Sequence, residues 1–214
     1  MTTTGRAGKM RVERRLLTAR HGAELLDRKQ RILADELERL QLRAARTEKA
    51  WTAAAREAEF WLVRAAALDG RELIASAAPL APAEVLLDWG SEMGVTYPED
   101  AHCDPPAAAP VGASSALTFA AAAARTALAA GVRHAAAERA VRLVAAALQA
   151  TRTRLRAVER RWVPRLEGEL ETIRRQLQAQ ELEENLRLRW AADSVSGNRA
   201  GGRAAGPPGR TEPR

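Results

Sequence analysis

A hydrophobic seven-residue repeat runs through residues 10–76, which contain no proline, and it constrains the fold more than any other feature. Two columns of the repeat are apolar almost throughout, with only Gln30 and Thr47 as polar members. The columns are Leu16, Ala23, Gln30, Leu37, Ala44, Trp51, Ala58 and Ala65, and Ala19, Leu26, Leu33, Leu40, Thr47, Ala54, Trp61 and Leu68. Heptad spacing is typical of coiled coils. Because one helix cannot bury such a stripe against itself, the pattern predicts a long helix with an equally long partner.

A second apolar stripe within residues 116–193 supplies the partner. It contains Val141, Val144, Leu148, Thr151, Leu155, Val158 and Trp162, and continues in a shifted register through Leu166, Leu170, Ile173 and Leu177. The shift surrounds Pro164, which lacks a backbone donor and clashes with the preceding turn, so we expect a kink or stutter there. Two stripes of similar length in one chain favour antiparallel pairing.

Residues 77–115 interrupt the helical pattern with six prolines. Residues 83–89 are β-prone, residues 90–92 predict a turn, and residues 94–97 predict a returning strand. We expect a flexible loop at 101–114, a flexible leader at 1–9 and a disordered tail at 194–214. The predicted fold class is all-α: a long antiparallel two-helix coiled-coil hairpin with a small β-hairpin and proline-rich loop at the bend.

Composition excludes several classes of protein. Cys103 is the only cysteine, so no internal disulfide is possible and a reducing cytosol fits best. The net charge of +7 would suit an acidic or nucleic-acid partner, but an excess of arginine and alanine also follows from a GC-rich genome. Arginines interrupt the alanine-rich start of the second helix, so no apolar run approaches the ~18 residues of a membrane span.

No motif predicts catalysis. Residues 5–10 depart from a phosphate loop, because Met10 stands where a hydroxyl residue is needed. His102, Cys103 and Asp104 lack further ligands at a zinc spacing. Nothing assembles a nucleophile, a base and an orienting group. We therefore expect no enzyme, no cofactor and no metal site.

A few residues are candidates for protein interfaces. Arg11, Arg14 and Arg15 make the first helical turns basic, and Arg187 and Arg189 do so near the other chain end. Such residues form either a solvated face or a contact at the tip of the paired helices. The other candidates are Trp89 and Tyr97 on the β-hairpin, for which packing within the hairpin is the alternative.

Three separated motifs resemble the D subunit of V-type and A-type ATPases. Residues 15–29 (RLLTARHGAELLDRK) resemble the N-terminal signature of that family. Residues 93–98 (MGVTYP) resemble its short central segment, and residues 158–167 (VERRWVPRLE) resemble its C-terminal element. The motifs occur in the family's order, and the resemblance covers about residues 8 to 192.

The resemblance implies a non-catalytic central rotor shaft, which couples ATP hydrolysis or synthesis in the catalytic hexamer to ion translocation in the membrane ring. The implied partners are the catalytic and non-catalytic nucleotide-binding ring subunits, the F subunit of the stalk and a membrane-side socket subunit. The implied location is cytoplasmic and peripheral to the membrane. On this hypothesis the arginines of the shaft tip contact the ring, while Trp89 and Tyr97 form a stalk interface.

Two other hypotheses remain open. A structural coiled-coil scaffold without ATPase association would explain the heptads but not the three motifs. A nucleic-acid-binding protein would explain the basic charge, but the sequence contains no recognisable nucleic-acid-binding module.

Overall fold

The computed structural model describes residues 5–79, 81–105 and 114–201, with side chains described as far as residue 193. In chain order the elements are α1 (Arg6–Ala77), β1 (Glu84–Glu92), β2 (Val95–Asp104), α2 (Ser115–Ala157), a π-helical turn (Val158–Trp162) and α3 (Val163–Gly201). Two long helical stretches with a two-stranded antiparallel hairpin between them confirm the predicted fold class. Parts of the predicted leader and tail, residues 1–4 and 202–214, lie outside the described residues.

The chain forms two compact units. The first consists of Met1–Gly22 and Ala157–Arg214, and the second of Ala23–Arg156. In the first unit the start of α1 packs on α3 through one apolar cluster. Its buried members are Val12, Leu16, Leu166, Leu170 and Ile173.

Three ion pairs flank the apolar cluster of the first unit. Arg6 pairs with Glu181 at 3.6 Å, Glu13 with Arg174 at 3.5 Å, and Arg20 with Glu167 at 2.7 Å. Residue numbers fall on α3 as they rise on α1, so the two helices are antiparallel. Exposed ion pairs contribute at most about 1 kcal/mol each, so the apolar cluster is the main source of stability here.

In the second unit, α1 packs on α2. One cluster buries Leu33, Leu40, Tyr97, Ala140, Val144 and Leu148, and another buries Ala65, Ala116, Leu117 and Ala120. Alanines at the contact let the helices approach closely. At Gly131 a Cβ atom would lie 3.1 Å from Nε1 of Trp51, so the indole ring covers the backbone of α2 directly.

The heptad prediction for α1 is confirmed with two exceptions. Every residue of the two columns is buried or half-buried except Trp51 and Leu68. Leu68 lies just before Gly70, where α1 is bent, with φ 78° and ψ 163°. Beyond the bend, Ile74 and Ala77 pack against the cluster formed by the end of α1 and the start of α2.

Ser114 connects the bend of α1 to the start of α2. Its backbone N–H donates to Oδ1 of Asp69 at 3.1 Å, and its hydroxyl group donates to Oδ2 of the same carboxylate. The Ser114 Oγ also accepts the backbone N–H of Leu117 at 3.4 Å, as an N-cap residue does. Asp69 therefore holds the N-cap of α2 against α1.

The β-hairpin turns at Met93 and Gly94, whose φ angles are 50° and 76°. Positive φ at both positions is what a two-residue type I′ turn requires. The predicted turn at residues 90–92 is therefore wrong. Gly90 instead allows a close approach across the hairpin, since a Cβ atom there would lie 3.1 Å from Oε2 and 3.3 Å from Cβ of Glu99.

Strand β2 is longer than the sequence predicts. It continues to Asp104, so residues 101–104 are strand and not loop, while residues 106–113 lie outside the described residues. The register of the pair shifts between Asp88 and Trp89, where Glu99 of β2 has no partner on β1. This β-bulge adjoins Pro98, which has no N–H to donate to a ladder.

The irregularity near Pro164 is a π-helical turn. The N–H of Val163 donates to the carbonyl of Val158, one residue further back than in an α-helix. Because Pro164 has no N–H, a regular ladder would lose a bond there in any case. Trp162, predicted to lie in the apolar stripe, is instead 57% exposed, whereas Leu166 is buried as the shifted register predicts.

Gly70 and Gly22 give opposite predictions for the same substitution. At both positions a Cβ atom would meet nothing within 4 Å, so only backbone conformation differs. We expect Gly70→Ala to lower the free energy of unfolding by about 1–2 kcal/mol, because φ is 78°. Gly22→Ala should raise it by about 1 kcal/mol, because Gly22 is helical.

Urea unfolding followed by circular dichroism measures both effects. A Gly70→Ala variant that is as stable as the Gly22→Ala variant would contradict the bend at Gly70.

Candidate interface surfaces

The first turns of α1 carry an exposed arginine surface. Arg11, Arg14 and Arg15 are exposed, while the neighbouring Val12 and Leu16 are buried in the contact with α3. Residues three and four positions apart share a helix face, so the three arginines lie along one exposed side of α1. The structure thus groups these three candidate residues.

Arg187 and Arg189 lie on α3, beyond the ion pair between Arg6 and Glu181. Arg187 itself pairs with Glu183 at 3.9 Å. The pair of Arg6 and Glu181 marks one height on the two antiparallel helices. From that height Arg187 lies in one direction along the axis and Arg11 lies in the opposite direction. Arg11 and Arg187 are therefore roughly 16 Å apart along the helix axis. The structure therefore does not bring the two arginine sets together.

Residues 181–193 of α3, here called the α3 extension, have exposed side chains throughout. Large apolar residues are among them: Leu182, Leu186, Leu188 and Trp190. Trp190 is 77% exposed. Sequence reasoning missed this surface, although one signal was present: the leucines continue past Leu177, at Leu182, Leu186 and Leu188.

Tyr97 anchors the β-hairpin to α1 and is not a surface residue. It is 4% exposed and belongs to the cluster around Leu33 and Leu40. Its hydroxyl group donates to Oε1 of Glu36 at 2.6 Å. Packing, the alternative to an interface role, is therefore what the structure shows for Tyr97.

A charged network surrounds that hydroxyl group. Arg39 donates two hydrogen bonds to the carboxylate of Glu36, at 2.8 and 2.6 Å. These bonds lower the pKa of Glu36. Burial, followed by the hydrogen bond to Glu36, raises the pKa of Tyr97 to about 12. A second tether lies at the hairpin turn, where Nζ of Lys29 donates to the carbonyl of Met93 at 2.9 Å.

Trp89 is the exposed aromatic residue of the hairpin, at 60%. It lies on β1, whose side chains Val85, Leu86 and Leu87 are also exposed. Strand β2 makes the contacts with the helices, through Tyr97 and half-buried Val95. The hairpin therefore presents β1 outward as an apolar surface, which the sequence indicated only through Trp89.

An apolar groove of about 600 Å³ lies near the bend in the second unit. Leu62, Ile74, Leu117 and Leu128 are among the residues that line it. No group of three or more His, Cys, Asp or Glu side chains able to hold a metal ion occurs in the part of the chain that the structure describes.

Comparison with known families decides the identity. The profile of the ATP synthase D-subunit family matches residues 9–193. The chain belongs to this family. The resemblance inferred from the three motifs is thereby confirmed, and the D subunit is a non-catalytic component of a V/A-type ATPase.

Two relatives of this chain are the D subunits of the V-type ATP synthase from two strains of Thermus thermophilus. Each is 29% identical over 194 residues, which cover 86% of this chain and 85% of the relative. The family match over residues 9–193 therefore includes parts of both units, with the hairpin of the second unit.

The second helical stretch is more apolar than its sequence pattern predicts. An 18-residue window within Ser115–Asp193 has a mean hydropathy of 1.3 and is apolar enough, by length and composition, to cross a membrane. Alanine is the reason, because many alanines raise the mean although few large apolar residues are present. In the structure this stretch packs on α1 through Ala116, Leu117 and Ala120, and further along through Val144 and Leu148.

The Tyr97 network predicts a dependence of stability on alkaline pH. Because its pKa is raised from 10.0 in the unfolded chain to about 12, Tyr97 stabilises the fold fully below pH 10 and loses this contribution as the pH rises to about 12. Tyr97→Phe should remove the dependence and cost about 1–2 kcal/mol in the free energy of unfolding at neutral pH.

Tyr97 is the only tyrosine, so the ultraviolet absorbance of its phenolate reports this titration directly. In the control variant Glu36→Gln the pKa of Tyr97 should fall only part of the way, because burial is the larger cause. Titration of the wild-type phenol at its ordinary pKa would contradict the buried network.

Proposed function

We propose that this chain is the central rotor shaft of its V/A-type ATPase and couples ATP hydrolysis or synthesis in the catalytic hexamer to ion translocation in the membrane ring. The observation that carries the proposal is the antiparallel contact between α1 and α3 in a member of the D-subunit family. Interlocked apolar side chains and flanking ion pairs make the two helices turn as one body. A single helix would twist far more easily.

The surfaces of the first unit suit contacts with the ring. Arg11, Arg14 and Arg15 on α1 and Arg187 and Arg189 on α3 are exposed cations at different heights. The α3 extension adds exposed leucines and Trp190, which are the residue types that become buried in protein interfaces. In this proposal the catalytic and non-catalytic ring subunits surround these residues.

The second unit carries the remaining proposed contacts. Trp89 would belong to the stalk interface, with the F subunit as the partner, and Tyr97 would support it by holding the hairpin on α1. A socket subunit on the membrane side would bind at the bend. The chain would act in the cytoplasm, peripheral to the membrane, and would bind no nucleic acid.

Engineered disulfides in the assembled ATPase test rotation. Cys103 is the only native cysteine, so Cys103→Ser gives a clean background. One bond joins Ala19→Cys to Leu166→Cys, two positions of the same apolar cluster. The other joins Arg11→Cys to a cysteine in the surrounding ring. Each forms only where Cα atoms come within roughly 7 Å.

The internal bond should leave ATP hydrolysis unchanged, because it joins two parts that turn together. The bond to the ring should stop hydrolysis, and reductant should restore it. A static scaffold predicts that neither bond matters. Hydrolysis at full rate with the ring bond quantitatively formed would reject the rotor.

A further inference from the structure

Strand β1 has an open edge in the described part of the chain. The sheet contains two strands there, and β1 pairs with β2 along one edge only. Backbone N–H and C=O groups along the other edge therefore have no strand partner. The strand spans Glu84–Glu92, which is about 30 Å at 3.3 Å per residue.

Proteins usually protect such an edge with lysine or proline, or by covering it. The sequence of β1, EVLLDWGSE, contains neither residue. Its only charged residues are Glu84, Asp88 and Glu92, and its large apolar side chains are exposed. An apolar edge of this length without cations is suited to receive another strand.

Alternation along β1 gives the edge a definite chemistry. Successive side chains point to opposite faces, which places Val85, Leu87 and Trp89 on one face. Glu84, Asp88 and Glu92 lie on the other face together with Leu86, and each carboxylate is about 13 Å along the strand from the next. Of these, Asp88 already contacts His102, at 3.2 Å, and both side chains are exposed.

We propose that the open edge of β1 binds an extended segment of another ATPase subunit, in which apolar and basic residues alternate. The segment adds as a third strand: its backbone pairs with β1, its apolar side chains cover Val85, Leu87 and Trp89, and its basic side chains face the carboxylates. This inference rests on the proposed function, since it names the kind of partner that the stalk interface takes.

Other occupants fit this edge less well. A second copy of this chain would place carboxylates of one β1 beside those of the other, and like charges across a strand pair are destabilising. Nucleic acid would be repelled by the same carboxylates. A helix could cover the apolar face but would leave the backbone groups of the edge unpaired.

Hydrogen–deuterium exchange on the wild-type chain tests the strand addition, with the isolated chain compared with the assembled ATPase. Exchange of the amides in residues 84–92 should slow about tenfold or more on assembly, because new backbone hydrogen bonds form. Equal exchange in the two states would overturn the proposal. So would slower exchange in β2 alone.

Charge reversal tests the basic character of the partner. The double variant Glu84→Lys/Glu92→Lys leaves the contact between Asp88 and His102 intact and should abolish the slowing in residues 84–92. The control Glu38→Lys/Glu48→Lys changes the net charge by the same amount at exposed positions of α1. In this control the slowing of exchange in residues 84–92 should be preserved. The same slowing in both variants would overturn the proposed charge complementarity.

A photo-reactive amino acid at Leu86 identifies the partner segment by mass spectrometry of the assembled complex. The expected product is an extended segment of another subunit with alternating apolar and basic residues. Cross-links to a second copy, to a helix or to an acidic segment would overturn the inference. If the ring disulfide still arrests hydrolysis in that case, the rotor stands and only the strand addition fails.

Discussion

Burial of an apolar stripe is the constraint on which the rest of this structure depends. A helix with leucine or alanine every three to four residues must cover that stripe, and each fully buried leucine contributes about 1.5–3 kcal/mol. In the first unit Leu166 and Leu170 cover the stripe of α1, and in the second unit Val144 and Leu148 do so. The hairpin is attached to the same core, because Tyr97 lies in one cluster with these residues of the second unit.

Side chains that do not take part in this burial remain exposed and can contact other proteins. The side chains of the α3 extension are exposed, and those of β1 are exposed because β2 makes the contacts with α1. Both surfaces carry exposed large apolar side chains, and both lie on regular secondary structure whose backbone is hydrogen-bonded. For a component of a large assembly, such surfaces supply binding energy without requiring the chain to rearrange on assembly.

Periodicity predicted the fold class and nearly all buried positions of α1, because a stripe of period 3.5 leaves few alternatives. It failed where local hydrogen bonding decides. The hairpin turn lies at Met93, a residue with no turn preference, while Gly90 serves a close contact across the hairpin. Trp162 followed the stripe in sequence, yet the π-helical turn exposes it.

For the candidate interface residues, the sequence identified exposed arginines. It could not show that Trp89 is exposed and Tyr97 is buried, since burial depends on tertiary contacts. The α3 extension was missed because its leucines have the same spacing in the sequence as those of a packed helix.

The contact between Asp69 and Ser114 has a consequence for the order in which the chain folds. Its two residues are 45 positions apart, whereas Glu13 and Arg174 are 161 positions apart. Closing the shorter loop costs about 1 kcal/mol less entropy. The antiparallel helices should therefore begin to pair beside the bend and zip toward the chain ends, with the N-cap of α2 among the first long-range contacts to form. Each new turn then closes only a short additional loop, so a chain with many distant contacts can still fold through a series of local steps.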